Sequence, residues 1–350
     1  MPPLEDCIYI VDELARAGIT HVDLTGGEPL LRNDLEKIVR RLSKWGIDIG
    51  VIFTNASLLD ASVLNMLERY NQHPTFQISF DGVGHHDWLR GVPGAEQQAN
   101  DAFRLLRERG FERAATMCIH KENKDVLRET VNHLAGLGVG TLRVNAPTSM
   151  GIWTEYEERY ALSMDELWDI YRDYIPRFFE DGMPINLEIE GFFVCEKGST
   201  KYKVQYVHDA RPDSNWNKLG CCESVRYTQH IDPDGRLAPC QGFCETVLRD
   251  EFPSVLEGGL GSLTLCGRCY EIVETKISDF LNKNPDCATC EHLPKCCGGC
   301  MLAGIDDAGN FLVPDERICY FFKNIGEQAV RDVADAAIAK HVPNASSAPC

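Results

Sequence analysis

The sequence predicts an α/β protein: a partial (β/α)6 TIM-like barrel that lacks its first strand, followed by a cysteine-rich C-terminal domain. Three observations carry this reading. Short β-rich runs alternate strictly with amphipathic helical runs over the first 150 residues, the pattern of a parallel sheet with helices packed outside it. The chain opens on a helix, so the strand that should precede it is missing. Twelve of the 16 cysteines fall between Cys221 and Cys319, where the composition turns to cysteine, glycine and short turns.

The elements follow in order. Leu4, Cys7, Ile8 and Val11 fall at helical spacing, and Gly18 supplies the stop. His21 to Gly27 (HVDLTGG) is a strand ending in glycines. Leu35, Ile38, Val39 and Leu42 mark a second helix, with Asn33 as cap, Glu36 as capping-box partner and Gly46 at its end. Strands at Asp48–Asn55, Thr75–Gly82 and Arg113–His120 alternate with helices at Ser57–Tyr70, Glu96–Arg109 and around Leu127–Leu134, the last stopped by Gly138. Thr141–Pro147 is the last clear strand. Residues 156–185 read as helix, Ile185–Ile189 as a short extra strand, and about Ile318–His341 as a final helix before a small, polar, disordered tail. The resulting organisation is a barrel part over 1–155, a helical bridging segment over 156–215, the cysteine domain over 216–322, and helix plus tail over 323–350.

Composition narrows the function. Lys and Arg number 35 against 53 Asp and Glu, a net charge of -18, which repels phosphate backbones and argues against nucleic acid as partner. No apolar run approaches the roughly 18 residues of a membrane helix. The N-terminus has no basic stretch ahead of its apolar residues and is not a secretory signal. These features point to the cytoplasm, where disulfides do not persist and clustered thiols bind metal or do redox chemistry.

Two constellations carry chemistry. Cys287-x2-Cys290-x5-Cys296-x3-Cys300, followed by Cys319, brings soft thiolates together as iron–sulfur clusters or zinc require. Upstream, Cys222-x12-Gly235-x4-Cys240 reads as a hairpin: Asp234-Gly235 makes the turn and Cys240 ends the returning strand. The second constellation is Gly26-Gly27-Glu28-Pro29 at a strand end. Two glycines expose backbone carbonyls and admit a ligand closely, Glu28 adds negative charge, and the whole suits a cationic ammonium group.

Together these residues resemble the radical SAM superfamily, in the branch that carries a SPASM-type C-terminal domain. The resemblance covers about residues 4–322. It implies binding of S-adenosyl-L-methionine, with Gly26, Gly27 and Glu28 at the methionyl ammonium and Asn55, Ser79, Asp81 and Asn123 lining the cofactor pocket from later strand ends. It also implies two auxiliary 4Fe-4S clusters: one held by Cys287, Cys290, Cys296 and Cys319, the other by Cys222, Cys240 and Cys300, with Cys221 as fourth ligand or as alternative to Cys222. Cys244, Cys266 and Cys269 lie outside the pattern. The implied activity is modification of a peptide or protein substrate by deoxyadenosyl-radical hydrogen abstraction, with an electron donor such as flavodoxin or ferredoxin.

The sequence departs from the family twice. The C-x3-C-x2-C that binds the SAM-cleaving cluster is absent from these 350 residues. Missing motif and missing strand share one explanation, a chain that begins after both, and as written the polypeptide is not expected to cleave SAM reductively. Sulfatase-maturing relatives carry a basic aspartate after the cysteine matching Cys240. Here Gln241 stands there and cannot take a proton usefully, which disfavours that substrate class. The competing reading is a non-catalytic iron–sulfur or zinc protein that binds a peptide.

Overall fold

The computed structural model describes residues 1–147, 151–208 and 215–342. It divides into two compact units. One comprises 23–31, 50–207 and the chain from Lys323; the other comprises 1–22, 32–49 and 208–322.

The first unit is built on an eight-stranded sheet: β1 (His21–Leu24), β2 (Asp48–Thr54), β3 (Thr75–Ser79), β4 (Arg113–Cys118), β5 (Thr141–Asn145), β6 (Asn186–Ile189), β7 (Phe193–Cys195) and β8 (Tyr202–Lys203). Strand order is strictly sequential, as in a barrel wall. Pairing is parallel from β2 to β6 and antiparallel from β6 to β8. Alternate residues point to one buried face, giving a layer of Phe76, Ile78, Ala115, Met117, Leu142, Val144, Leu187 and Ile189, all inaccessible to solvent. The sequentially assigned β/α alternation and the extra strand at 185–189 are both present.

The helices up to this sheet's end are α1 (Leu4–Arg16), α2 (Leu35–Trp45), α3 (Ala61–Arg69), α4 (His86–Arg90), α5 (Ala95–Arg109), α6 (Leu127–Gly136), α7 (Glu157–Tyr160) and α8 (Met164–Glu180). Three details differ from the sequence reading. Asn33 does not cap α2, which starts after Asp34; there Arg32 holds the Asp34 carboxylate at 2.9 and 3.1 Å, and no side chain caps the helix. The helix read over 156–185 breaks at Ser163, whose hydroxyl and Glu166 form a capping box that starts α8 afresh. The final helix breaks too: a helical turn at Glu316–Tyr320 and a π turn at Phe321–Ile325 lead through Gly326, φ +82°, into a helix over Glu327–His341. The tail read as disordered lies at 343–350, outside the described residues.

In the second unit α1 and α2 are joined by Arg41, which donates to both Asp12 carboxylate oxygens at 2.6 Å, while the Trp45 indole N–H donates to one of them at 2.7 Å. Ile10 and Leu14 of α1 pack on a core of Leu237, Phe243, Phe252, Val255, Ile272 and Phe311. Glu13 reaches further and accepts the Leu260 N–H at 2.9 Å. The expected hairpin is β9 (His230–Ile231) against β10 (Leu237–Ala238), antiparallel, with Gly235 at φ +78° in the turn. Among the described residues no helix is long and apolar enough to cross a membrane.

Packing in this unit leaves no room at Gly304, where an added Cβ would sit 2.2 Å from the Val313 carbonyl oxygen. A backbone atom cannot swing away as a side chain can. Gly304→Ala is expected to destabilise the cysteine-rich unit by at least about 1–3 kcal/mol, read as a lowered urea midpoint. Gly261→Ala, where an added Cβ meets nothing within 4 Å, should leave the midpoint unchanged.

Candidate functional site

The loop after β1 carries Gly26, Gly27 and Glu28. Gly26 sits at φ +118°, a region L side chains rarely enter, and space is open where a Cβ would lie on either glycine. The backbone here is bare and approachable. Glu28 is anchored: its carboxylate accepts the Thr54 hydroxyl at 2.8 Å, the Asn55 N–H at 2.8 Å and the Leu30 N–H at 3.1 Å. It therefore laces the end of β1 to the end of β2. Asn55 in turn accepts the Ser57 N–H at 2.9 Å, and Ala56 adopts φ +65° to make the bend. Ser79 closes β3 half-buried, opposite Thr116.

Asp81, just beyond β3, is wholly buried. One carboxylate oxygen takes Arg90 Nε at 2.9 Å and Nη2 at 2.7 Å, with His86 Nδ1 at 3.1 Å; the other takes the Cys118 N–H at 3.1 Å. Burial pushes the carboxyl's pKa up, but the His86 bond, the Arg90 charge and the Cys118 N–H outweigh it and hold it below its ordinary value. Asn123 is equally committed. Its side-chain oxygen accepts the His120 N–H, and its amide donates to the Asp81 and Cys118 carbonyls, each at 2.8 Å. Asp81 and Asn123 thus frame the strand ends, holding β3, α4 and β4 in register.

His86 is 1% exposed and stacks on Phe80. Arg143 lies in β5 opposite Glu188 and donates to it at 2.5 Å.

All eight cysteines assigned to metal lie in the second unit, and the 15 described cysteines are free thiols. Cys240 lies within electrostatic reach of Cys300 and Cys222, and Cys300 of Cys222. Cys296 lies within reach of Cys297, Cys290 and Cys319. Cys287 is tied to the second set through its carbonyl, which accepts the Cys290 N–H at 3.1 Å. Cys221 reaches Cys222 and Cys297. Burial pushes Cys221 and Cys296 up to about 12 and raises Cys240 and Cys300. Opposing that, backbone N–H groups point at sulfur: Phe243 and Gly242 at Cys240, Ala303 and Leu302 at Cys300, Gly298 at Cys296. Such N–H groups favour the thiolate over the thiol, which is the form a metal binds. Among the described residues no three His, Cys, Asp or Glu side chains are gathered closely enough to hold a single metal ion.

Between Cys296 and Cys300 the backbone is left-handed at three consecutive residues: Cys297 (φ +51°), Gly298 (+87°) and Gly299 (+84°). A Cβ on Gly298 would lie 3.0 Å from the Phe280 ring, and one on Gly299 would lie 2.4 Å from Asp315 Cβ. Of the cysteines outside the pattern, Cys244 and Cys269 are buried in the core, and Cys266 is exposed with its thiol donating to the Ser262 carbonyl at 3.1 Å.

The chain carries a sequentially ordered, largely parallel sheet with a bare GGE loop at a strand end, and a thiol-rich unit. Residues 1–134 match the radical SAM superfamily. The chain is 23% identical over 350 residues to a PqqA peptide cyclase of Granulibacter bethesdensis, covering 97% of this chain and 86% of that protein. It is 29% identical to an AdoMet-dependent heme synthase of Methanosarcina barkeri, covering 91% and 87%. Its fold is that of anSMEcpe with bound AdoMet and the Cp18Cys peptide: TM-score 0.68, 16% identity, 96% of this chain and 91% of that one. The chain is thus similar to radical SAM superfamily proteins, by a family match over its first 134 residues and by fold over most of its length.

Asp81 makes a pH-dependent contribution with a defined sign. Its folded pKa is depressed, so its stabilisation is complete above the unfolded value of about 3.9 and is lost as pH falls through the folded one. Asp81→Ala, which leaves Arg90 without its partner, is expected to cost about 3–5 kcal/mol at neutral pH. Denaturation midpoints measured from neutral to acid pH should converge for wild type and variant at the acid end.

Proposed function

We propose that this chain is the cofactor-holding and substrate-facing body of a radical SAM enzyme that modifies a peptide or protein. S-adenosyl-L-methionine would sit against the Gly26–Glu28 loop, and two auxiliary 4Fe-4S clusters would be held by the cysteine-rich unit. The reading is supported by which thiols influence one another electrostatically: Cys240 and Cys300 each feel Cys222, and Cys296 feels Cys290 and Cys319, while Cys244 and Cys269 also lie near Cys240. The first two groupings follow the division the SPASM pattern implies, with Cys287 completing the second set and Cys221 standing beside the first. When bound, S-adenosyl-L-methionine supplies hydrogen-abstracting radical chemistry and the clusters supply one-electron chemistry.

The chain's own residues have narrower tasks. The bare carbonyls at Gly26 and Gly27 face a cationic ammonium without a side chain in the way. Glu28 fixes the Thr54–Asn55 turn and lends the loop negative charge. Asp81 and Asn123 keep the strand ends rigid, so ligand-facing groups are preorganised rather than ordered on binding. Backbone N–H groups at Cys240, Cys296 and Cys300 help each thiol lose its proton to a metal. A peptide substrate and a protein electron donor such as flavodoxin or ferredoxin complete the reading, in a cytoplasmic setting suited to free thiols.

Anaerobic reconstitution followed by iron and sulfide quantitation tests the thiol assignment. Cys290→Ala and Cys240→Ala should each remove about half of both elements, and the double variant nearly all. A bound zinc with no sulfide would overturn the reading. The ligand loop is tested separately by calorimetry with S-adenosylhomocysteine. Glu28→Ala, which frees the Asn55 turn, should weaken binding by about tenfold or more, while the iron content stays at the wild-type level.

A further inference from the structure

Beyond β3, β4 and β5, within the sheet unit, five aromatic side chains cluster. The His120 ring lies 5.3 Å from Trp88 and 6.4 Å from Trp153, Trp88 meets Tyr160 edge-on at 5.2 Å, and Tyr156 lies 6.4 Å from Tyr160. His120 is wholly buried. Its backbone is locked: the N–H donates to Asn123 at 2.8 Å, and the Lys121 N–H next to it donates to the Tyr160 carbonyl at 3.0 Å. Its Nδ1 accepts the Glu122 N–H at 3.2 Å, which places the ring proton on Nε2. Burial lowers the imidazole's pKa and keeps it neutral.

That Nε2–H has no acceptor among the described residues, and neither has the indole N–H of Trp153. Each unsatisfied buried donor costs about 1–3 kcal/mol, and native structures rarely leave one without a reason. Two in one aromatic cluster ask for an acceptor. An amide would bring its own N–H, and a hydroxyl its own O–H, into surroundings that are mainly aromatic faces. A carboxylate only accepts. Arg159 lies at the rim, 5.0 Å from the Tyr160 ring, and Arg90 projects from α4, which also carries the half-exposed Trp88.

We propose that His120 Nε2–H and Trp153 Nε1–H form a carboxylate-binding notch, walled by Trp88, that receives a side-chain or C-terminal carboxylate of the peptide substrate. The choice of a peptide as source rests on the proposed function; the notch itself does not. Trp88 supplies the open side through which a chain can approach, since it is 48% exposed while the donors behind it are covered.

The test uses the 15N-labelled full chain and acetate as probe. Both ring N–H resonances, assigned by loss in His120→Phe and Trp153→Phe, should move downfield and saturate with acetate but not with chloride or N-methylacetamide. Each variant should retain the wild-type melting profile and bind acetate about tenfold more weakly at the remaining donor. Absence of a saturable shift overturns the notch, as does an upfield His120 N–H indifferent to acetate, which would mean donation to the Trp88 face. An equal response to N-methylacetamide overturns the acceptor-only argument. S-adenosylhomocysteine separates the sources: if it displaces acetate, the carboxylate is the cofactor's and the peptide assignment fails. Iron and sulfide content is independent of every arm, so failure here is distinguishable from failure of the proposed function.

Discussion

A single buried carboxylate organises the end of the sheet beyond β3 and β4. Asp81 is reached from α4 by Arg90 and His86, from the end of β4 by the Cys118 N–H, and through its own carbonyl by Asn123. Asn123 then holds the His120 backbone, and so the position of the imidazole within its aromatic cluster. A carboxylate taken out of water is costly unless its lone pairs are filled. Here three partners fill them, and the cost is turned into geometry: three separate chain segments are fixed against one another by groups that cannot relax independently.

The cysteine-rich unit follows a different logic. Its core is modest and its hairpin strands have two residues each, and small frameworks of this kind usually lean on a staple. Burial raises the thiols while backbone N–H groups at Cys240, Cys296 and Cys300 oppose it.

Much of this was legible in sequence because it rests on periodicity and spacing. The β/α alternation, the extra strand at Asn186–Ile189 and the Gly235 turn follow from local rules. What was not legible depends on partners distant in sequence or on competition between neighbours. Asn33 satisfies the helix-start pattern, yet Arg32 takes Asp34 and shifts the start of α2. The break before α8 was hidden because apolar residues run on across Ser163. The buried place of His86 is not visible in sequence, because nothing in its neighbours reveals that Asp81 is sealed from water. Glu28, Asp81 and Asn123 were found by position at strand ends. Their work as struts emerges only when every oxygen and amide is accounted for.

The left-handed run from Cys297 to Gly299 has an evolutionary corollary. A mirror-image backbone on three successive residues, two of them pressed against Phe280 and Asp315, leaves selection almost nothing to vary: any insertion would rotate Cys300 away from its neighbours, and any side chain at the glycines would wedge the strandless loop open. Divergence among descendants of this gene should therefore accumulate on the unit's exposed helices and skip this short stretch, making it a fossil of the ancestral architecture.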